Sequence, residues 1–193
     1  MSSRSEAPSM SVSVPPVHSV QFYDTHEALI DRLCGVVCSG LLLGNSVLII
    51  ATEEHRKQLT TALQRLEVDL KSYAREERFT MCDAEGLLSK FMVNDMPDLK
   101  RFLSSVRELL THSKQAARGK DQGFTVFGEM VSVLWEQGNK TGALALERLW
   151  NELLNERAFH LHCAYPRAIF SQDDSGFANI CDTHSHVLVG ARL

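Results

Sequence analysis

Hydrophobic positions along this chain change period several times, and each change marks an element. From Val17, the run His18-Ser-Val-Gln-Phe-Tyr23 sets Val20 and Phe22 on one side of a short alternating strand. Asp24 and Thr25 then offer N-caps, and residues 26–43 carry Leu29, Ile30, Leu33, Val36, Val37 and Leu41 at helical spacing before Gly44 stops the helix. Val47-Leu-Ile-Ile-Ala51 is a continuous apolar run of strand length, as expected of a strand covered on both faces. Residues 53–66 return to helical spacing, with Leu59, Ala62, Leu63 and Leu66 inward.

The same reading continues through a strand at residues 79–82, a short helix at 84–91, a cap at Met96-Pro97-Asp98 with Pro near the first turn, and a long helix at 99–117. A polar loop at 118–123 leads to a strand at 124–127. Gly128-Glu129 opens a helix to about Gln137, a further helix spans about 141–155, and a strand spans 159–164, stopped by Pro166. A last helix is predicted over about 177–187, with His184 and His186 near each other on it. Strand and helix alternate, and parallel neighbours need crossover connections, so the expected fold class is α/β, a mostly parallel sheet between two helical layers.

Composition narrows the class. The 193 residues are 44% hydrophobic and 23% charged, which suits one globular domain and excludes fibrous or fully disordered chains. Residues 1–16, rich in Ser and Pro, are expected to form a disordered tail, and residues 17–193 a single domain. A formal charge of -4 is the wrong sign for a protein that lives on phosphate backbones, so direct nucleic-acid binding is not expected. Five cysteines with no signal-peptide core read as reduced thiols in the cytoplasm, and no run approaches a membrane span.

Motif searches mostly exclude. The turn after the first strand, Tyr23-Asp-Thr-His26, has no glycine to wrap a phosphate and carries an acidic residue that would repel one. Gly138-Asn-Lys-Thr141 has Asn139 before the Lys and Leu134 where a phosphate loop needs its first glycine, and no G-x-G-x-x-G or nucleophile elbow occurs. Ile30 stands where a zincin helix starting at His26-Glu27 needs its second His. Cys34 and Cys38 lack zinc-knuckle spacing and read as small core residues. His160 and His162 alternate on a strand as structural histidines. Since ligands bind beyond the carboxyl ends of parallel strands, Tyr23, Asp24, Glu129 and Tyr165 are expected to line one mouth. Sequence alone places no His or second acid beside Glu129 or Tyr165, so no catalytic residue, metal or cofactor is expected.

Several motifs in order resemble one known family. They are His18-x-Val20-x-Phe22-Tyr23, Ile49-Ile-Ala-Thr-Glu53 with His55 beyond, Phe91-Met92, Gly128-Glu-Met-Val131 with Leu134-Trp135, Leu149-Trp-Asn-Glu-Leu153, Cys163-Ala-Tyr-Pro166 and Cys181-x-x-His184-Ser-His186. Together they resemble the MEDS domain, a methanogen/methylotroph DcmR-like sensory domain, over about residues 17–190. The resemblance implies a RecA-like or KaiC-like fold without its phosphate loop, and a sensor of small molecules, with hydrocarbon derivatives as the suggested ligands. It also implies an output module, which residues 17–190 leave no room for here, so a separate regulatory protein partner is expected. Homodimerisation is compatible with such a role, although no stretch has sustained heptads. The expected ligand contacts are His18, Tyr23, Glu129, Tyr165 and His184, with Phe22 and Trp135 as apolar wall. A residual ATPase or phosphotransferase using Glu129, and a redox or metal sensor built on Cys34, Cys38, Cys163 and Cys181 with the late histidines, are the competing readings.

Overall fold

The computed structural model describes residues 16–118 and 123–188. The expected N-terminal tail therefore falls almost wholly outside the described residues, as does most of the loop at 118–123. Six strands form one parallel sheet: β1 (Val17–Tyr23), β2 (Ser46–Ala51), β3 (Phe79–Asp83), β6 (Phe124–Gly128), β7 (His160–Pro166) and β8 (His186–Leu188), in the order β3-β2-β6-β7-β1-β8. Two further strands, β4 (Met92–Val93) and β5 (Met96–Pro97), make a small antiparallel hairpin.

Alternation along each strand feeds two separate cores. Val20 and Phe22 of β1, Leu48 and Ile50 of β2, Val126 of β6, and Leu161, Cys163 and Tyr165 of β7 face one layer of helices. That layer comprises α4 (Ala84–Phe91), α5 (Leu99–Ala116), α6 (Met130–Glu136), α7 (Lys140–Glu156) and α8 (Asp174–Thr183). Tyr23, Val47, Ile49, Ala51, Phe127 and Ala164 face the other layer, chiefly α1 (His26–Leu42) and α2 (Glu53–Arg65), with the short α3 (Leu70–Arg75) at its edge. The three-layer α/β fold expected from the sequence is present. Burial on both faces explains why β2 reads as a solid apolar run.

Three expectations are corrected. The last helix ends at Thr183 rather than near residue 187, and the chain then forms β8, which pairs with β1 through Ser19–His186, Val20–Val187 and Gln21–Leu188. His184 thus caps α8 and His186 lies on a strand, not beside it on a helix. Met96-Pro97 belongs to a hairpin strand rather than to a helix cap; Asp98 alone caps α5, accepting the Arg101 N–H. The hairpin turns at Asn94 and Asp95, with φ of 49° and 62°, the left-handed pair that a tight antiparallel turn requires. Finally, α3 was not expected; it has six residues and buries none of them.

Candidate functional site

The sheet divides the seven predicted ligand contacts into two groups on opposite faces. Tyr23 and Glu129 face the α1–α2 layer. His18, Phe22, Trp135, Tyr165 and His184 face the α4–α8 layer. The expected single mouth for Tyr23, Asp24, Glu129 and Tyr165 does not form. Phe22 pairs with Tyr165 across the β1–β7 register, so Tyr23, one residue on, points to the other side.

On the α1–α2 side, Glu129 follows β6, next to the end of β2. Chain continues outward from β2 to β3 and in the opposite direction from β6 to β7, so this is a topological switch point of the sheet. Glu129 begins α6 without capping it. Its carboxylate instead accepts the Thr52 N–H at 2.8 Å and meets His55 Nδ1. His55 Nε2 in turn lies 2.5 Å from His26 Nδ1, and the Tyr23 ring stands edge-on to His55. Burial acts to lower the His55 pKa, but the Glu129 hydrogen bond and charge outweigh it and hold the imidazole above its ordinary value. Burial, then Glu129 and Glu136, push the Tyr23 phenol up. Asp24 turns outward to Arg167 at 3.1 Å. Sequence reasoning missed His26 and His55 as partners. The available signal was a histidine one helical turn before Leu59 and two before Leu63, on the stripe of α2 that packs inward.

On the α4–α8 side the polar groups are more deeply enclosed. His18 of β1 and Cys163 of β7 project from neighbouring strands, Glu147 projects from the sheet-facing side of α7, and His184 follows α8. His18 Nε2 lies 3.5 Å from Cys163 Sγ and 3.3 Å from Glu147 Oε2; His184 Nε2 lies 3.5 Å from Glu147 Oε1. Tyr165 donates its O–H to Glu147 Oε1 at 2.7 Å. Glu147 and Tyr165 are fully buried and His18 is 3% exposed. Burial works to raise the Glu147 pKa, but His184, then His18 and Tyr165, hold the carboxyl below its ordinary range. Burial lowers the His184 imidazole and drives the Cys163 thiol and the Tyr165 phenol well up. Tyr165 therefore does have a second acid beside it, contrary to expectation. Glu147 was missed although it interrupts the apolar stripe Ala143, Leu146, Trp150, Leu153 of α7, where a carboxylate needs a partner.

Phe22 and Trp135 wall this interior, with Phe22 6.2 Å and Trp135 6.3 Å from the Tyr165 ring, centroid to centroid. Of the other cysteines, Cys34 belongs to the opposite core, against which Cys38 packs, and Cys82 and Cys181 pack against the edge of this one. The four-thiol centre weighed from the sequence is not assembled. Asn139 caps α7 by accepting the Gly142 N–H, and Lys140 pairs with Asp173 at 2.7 Å beside the Trp135 ring, so the Gly-Asn-Lys segment serves the fold. His162, on the far side of the sheet from Cys163, is held by Ser19 and Gln21, and burial brings its pKa down to about 4. An open groove of about 590 Å³ runs along α4 and the α6–α7 turn, and none of the seven predicted residues lines it. No helix among the described residues is long and apolar enough to cross a membrane.

Fold and polar interior together define a three-layer α/β domain whose chemistry is gathered at a strand-end switch point and in one buried polar cluster beneath α7 and α8. The chain belongs to the MEDS family: residues 17–185 match MEDS, the MEthanogen/methylotroph, DcmR Sensory domain. Among solved structures it is similar to an uncharacterized protein from Pyrococcus horikoshii, crystallised in complex with an unknown peptide. The TM-score is 0.64 at 13% identity, over 89% of this chain and 75% of that one. That likeness is one of fold. No curated protein matches the sequence.

Proposed function

We propose that this protein is a sensory module rather than an enzyme, and that it takes a small ligand at the carboxyl ends of β2 and β6 and passes the signal to a separate regulatory protein. Family membership supports the sensory role. The observation that carries the site is Glu129: a buried carboxylate at the switch point of the sheet, where open α/β sheets bind their ligands. His55 and the Thr52 N–H fix its orientation, and Tyr23 supplies a phenol on an aromatic wall. A small hydrocarbon derivative with one polar group suits this mixture of one hydrogen-bonding pair and an apolar surround. A ligand can shift the module only by binding one arrangement more tightly than another, and α6, which starts at Glu129 and packs on α7, is the element placed to respond.

Thr25 fills the N-terminus of α1 with its own side chain, accepting the Ala28 N–H, and Glu27 follows in the first turn. A phosphate would meet an occupied donor and a like charge there, which speaks against the nucleotide-hydrolysing reading.

The test is a thermal-shift series on the full chain against halogenated and oxygenated one-carbon to four-carbon compounds, with ATP and GTP plus magnesium alongside. A ligand at 100 times its Kd adds about 2.7 kcal/mol of stability, which a melting curve resolves. The expected result is a shift with at least one small compound that Glu129→Gln or Tyr23→Phe abolishes. A shift with nucleotide alone, or one that both substitutions leave intact, overturns the proposal.

A further inference from the structure

The buried polar cluster beneath α7 and α8 does not belong to the switch-point site, and its hydrogen bonding is lopsided. His18 Nδ1 lies 2.8 Å from Asn151 Oδ1, while the other end of the same amide donates to the Thr183 carbonyl at 2.9 Å. The amide orientation is thereby fixed, so His18 carries its proton on Nδ1. His184 Nδ1 lies 2.7 Å from the Ile180 carbonyl, which only accepts, so His184 also carries its proton on Nδ1. In the neutral form each ring then turns an Nε2 lone pair inward, toward the Glu147 carboxylate and the Cys163 sulfur. His184 Nε2 and Glu147 Oε2 have no hydrogen-bond partner, although both are buried. Two such lone pairs beside an ionised carboxylate in a buried cluster repel one another unless a positive charge sits among them, either a ring proton or a bound cation.

We infer that His18, Glu147, Cys163 and His184 form a binding site for a single divalent transition-metal ion of the zinc class. The four ligand atoms lie within 4.8 Å of one another and every residue is buried. Zinc bonds of about 2.0–2.1 Å to nitrogen and oxygen and about 2.3 Å to sulfur, at tetrahedral angles, place ligand nitrogen about 3.3 Å from oxygen and about 3.6 Å from sulfur. The observed 3.3 Å from His18 Nε2 to Glu147 Oε2 and 3.5 Å to Cys163 Sγ match both. Outer contacts are of the kind that orient metal ligands: each histidine donates its other ring N–H to an oxygen, and Tyr165 holds the second carboxylate oxygen. Charge closes as well. On binding, Cys163 gives up its thiol proton to solvent, and thiolate plus carboxylate neutralise the dication in the low-dielectric interior. Four protein ligands leave no open position for a reacting water, so the ion would tie α8 and β8 to β1, β7 and α7 rather than perform chemistry.

The experiment is to unfold the full-length protein in chelator, refold it with Co²⁺ or Zn²⁺ under reducing conditions, and measure stoichiometry and the cobalt absorption spectrum. One equivalent is expected, with tetrahedral visible bands and a near-ultraviolet thiolate charge-transfer band. Cys163→Ser removes the charge-transfer band, Glu147→Gln weakens binding at least tenfold, and Cys181→Ser changes neither. Should Cys163→Ser fail to fold, a variant with Ser at Cys34, Cys38, Cys82 and Cys181 must still show the band through Cys163 alone. Refolded wild type with no stoichiometric metal, or a cobalt spectrum indifferent to Cys163, overturns the inference; the site is then a protonated histidine–carboxylate cluster. The switch-point proposal stands or falls separately, because its readout is a small-molecule melting shift that Glu129→Gln or Tyr23→Phe abolishes and no substitution at the four cluster residues enters it.

Discussion

Tyr165→Phe removes one oxygen and nothing else, and the structure sets what that oxygen does. Its O–H donates to Glu147 Oε1 at 2.7 Å, both residues are fully buried, and the carboxyl is held in its ionised form. A hydrogen bond to a charged group contributes about 1.5–3 kcal/mol, against about 0.5–1.5 kcal/mol for a neutral pair. The ring remains, so no cavity arises, and its contacts with Phe22, Trp135 and Phe170 persist. In metal-free buffer the variant should therefore lose about 1.5–3 kcal/mol. At about 2–4 °C per kcal/mol for a chain of this size, melting falls by about 3–12 °C. Urea denaturation is the assay, with the slope m unchanged to show that the surface exposed on unfolding is the same. In a double-mutant cycle with Glu147→Gln, most of the loss should appear as coupling. A loss below about 0.5 kcal/mol, or no coupling, would refute the reasoning, because it would mean that the carboxyl is neutral or the contact is not formed.

Further consequences follow from single features of the fold. Since the folded pKa of His55 is raised, the His55–Glu129 pair contributes stability that is full below the unfolded value near 6.5 and is lost as pH rises through the folded value. Wild type should accordingly weaken as pH rises above about 6.5 relative to Glu129→Gln, with Tyr23, His26, Glu54 and Glu136 facing the same imidazole; parallel pH dependence of the two proteins in urea titrations would contradict it. Trp150 is fully buried edge-to-face with Phe102, at 5.2 Å between centroids, and Trp150→Ala should cost about 3–5 kcal/mol, measured by the same titration. A methyl group added at Gly40 would come within 2.9 Å of the Val47 side chain where α1 crosses β2, so Gly40→Ala should destabilise by about 1–3 kcal/mol despite the better helix propensity of alanine; a gain in stability would show that α1 shifts freely on the sheet.

The layers were legible in the sequence because burial enforces periodicity. The solid run of β2 and the stripes of α1, α2 and α5 can satisfy a three-layer sandwich and little else. Elements that bury almost nothing left no such trace. In α3 there is no buried residue, and β8 has three residues at the sheet edge, of which His186 and Val187 are exposed, so nothing in its pattern separates it from the helix before it. The β4–β5 hairpin had a chemical signal that periodicity ignores, the consecutive Asn94 and Asp95 that tolerate positive φ. Site residues fared differently. Strand parity could have separated Tyr23 from Tyr165, since two paired parallel strands in known register fix which side each residue takes. The register, however, depends on which strands are neighbours, and β1 lies beside β7 only through long crossovers. Glu147 and His55 were visible as polar residues on apolar stripes, yet which partner excuses their burial is a tertiary fact.

That partition bears on how a sensor of this kind could act. Two buried polar clusters sit back to back on one sheet, joined by strands that carry a residue for each: β1 presents His18 to one face and Tyr23 to the other, and α6 begins at Glu129 on one face while Trp135, at its far end, packs against Tyr165 on the other. A change in how Glu129 is held at the start of α6 would therefore have a direct path along a helix of two turns to Trp135 and the ring whose hydroxyl holds Glu147. Close packing makes such a path responsive in steps rather than continuously. Coupling along it is reciprocal, so whatever occupies the cluster beneath α7 and α8 must alter affinity at the switch point by the same factor as the converse. Measuring small-molecule affinity with and without Zn²⁺, in wild type and in Trp135→Phe, sets that factor. Equal affinities in all four states would mean that the two faces of the sheet are energetically independent and that the signal leaves the domain by another route.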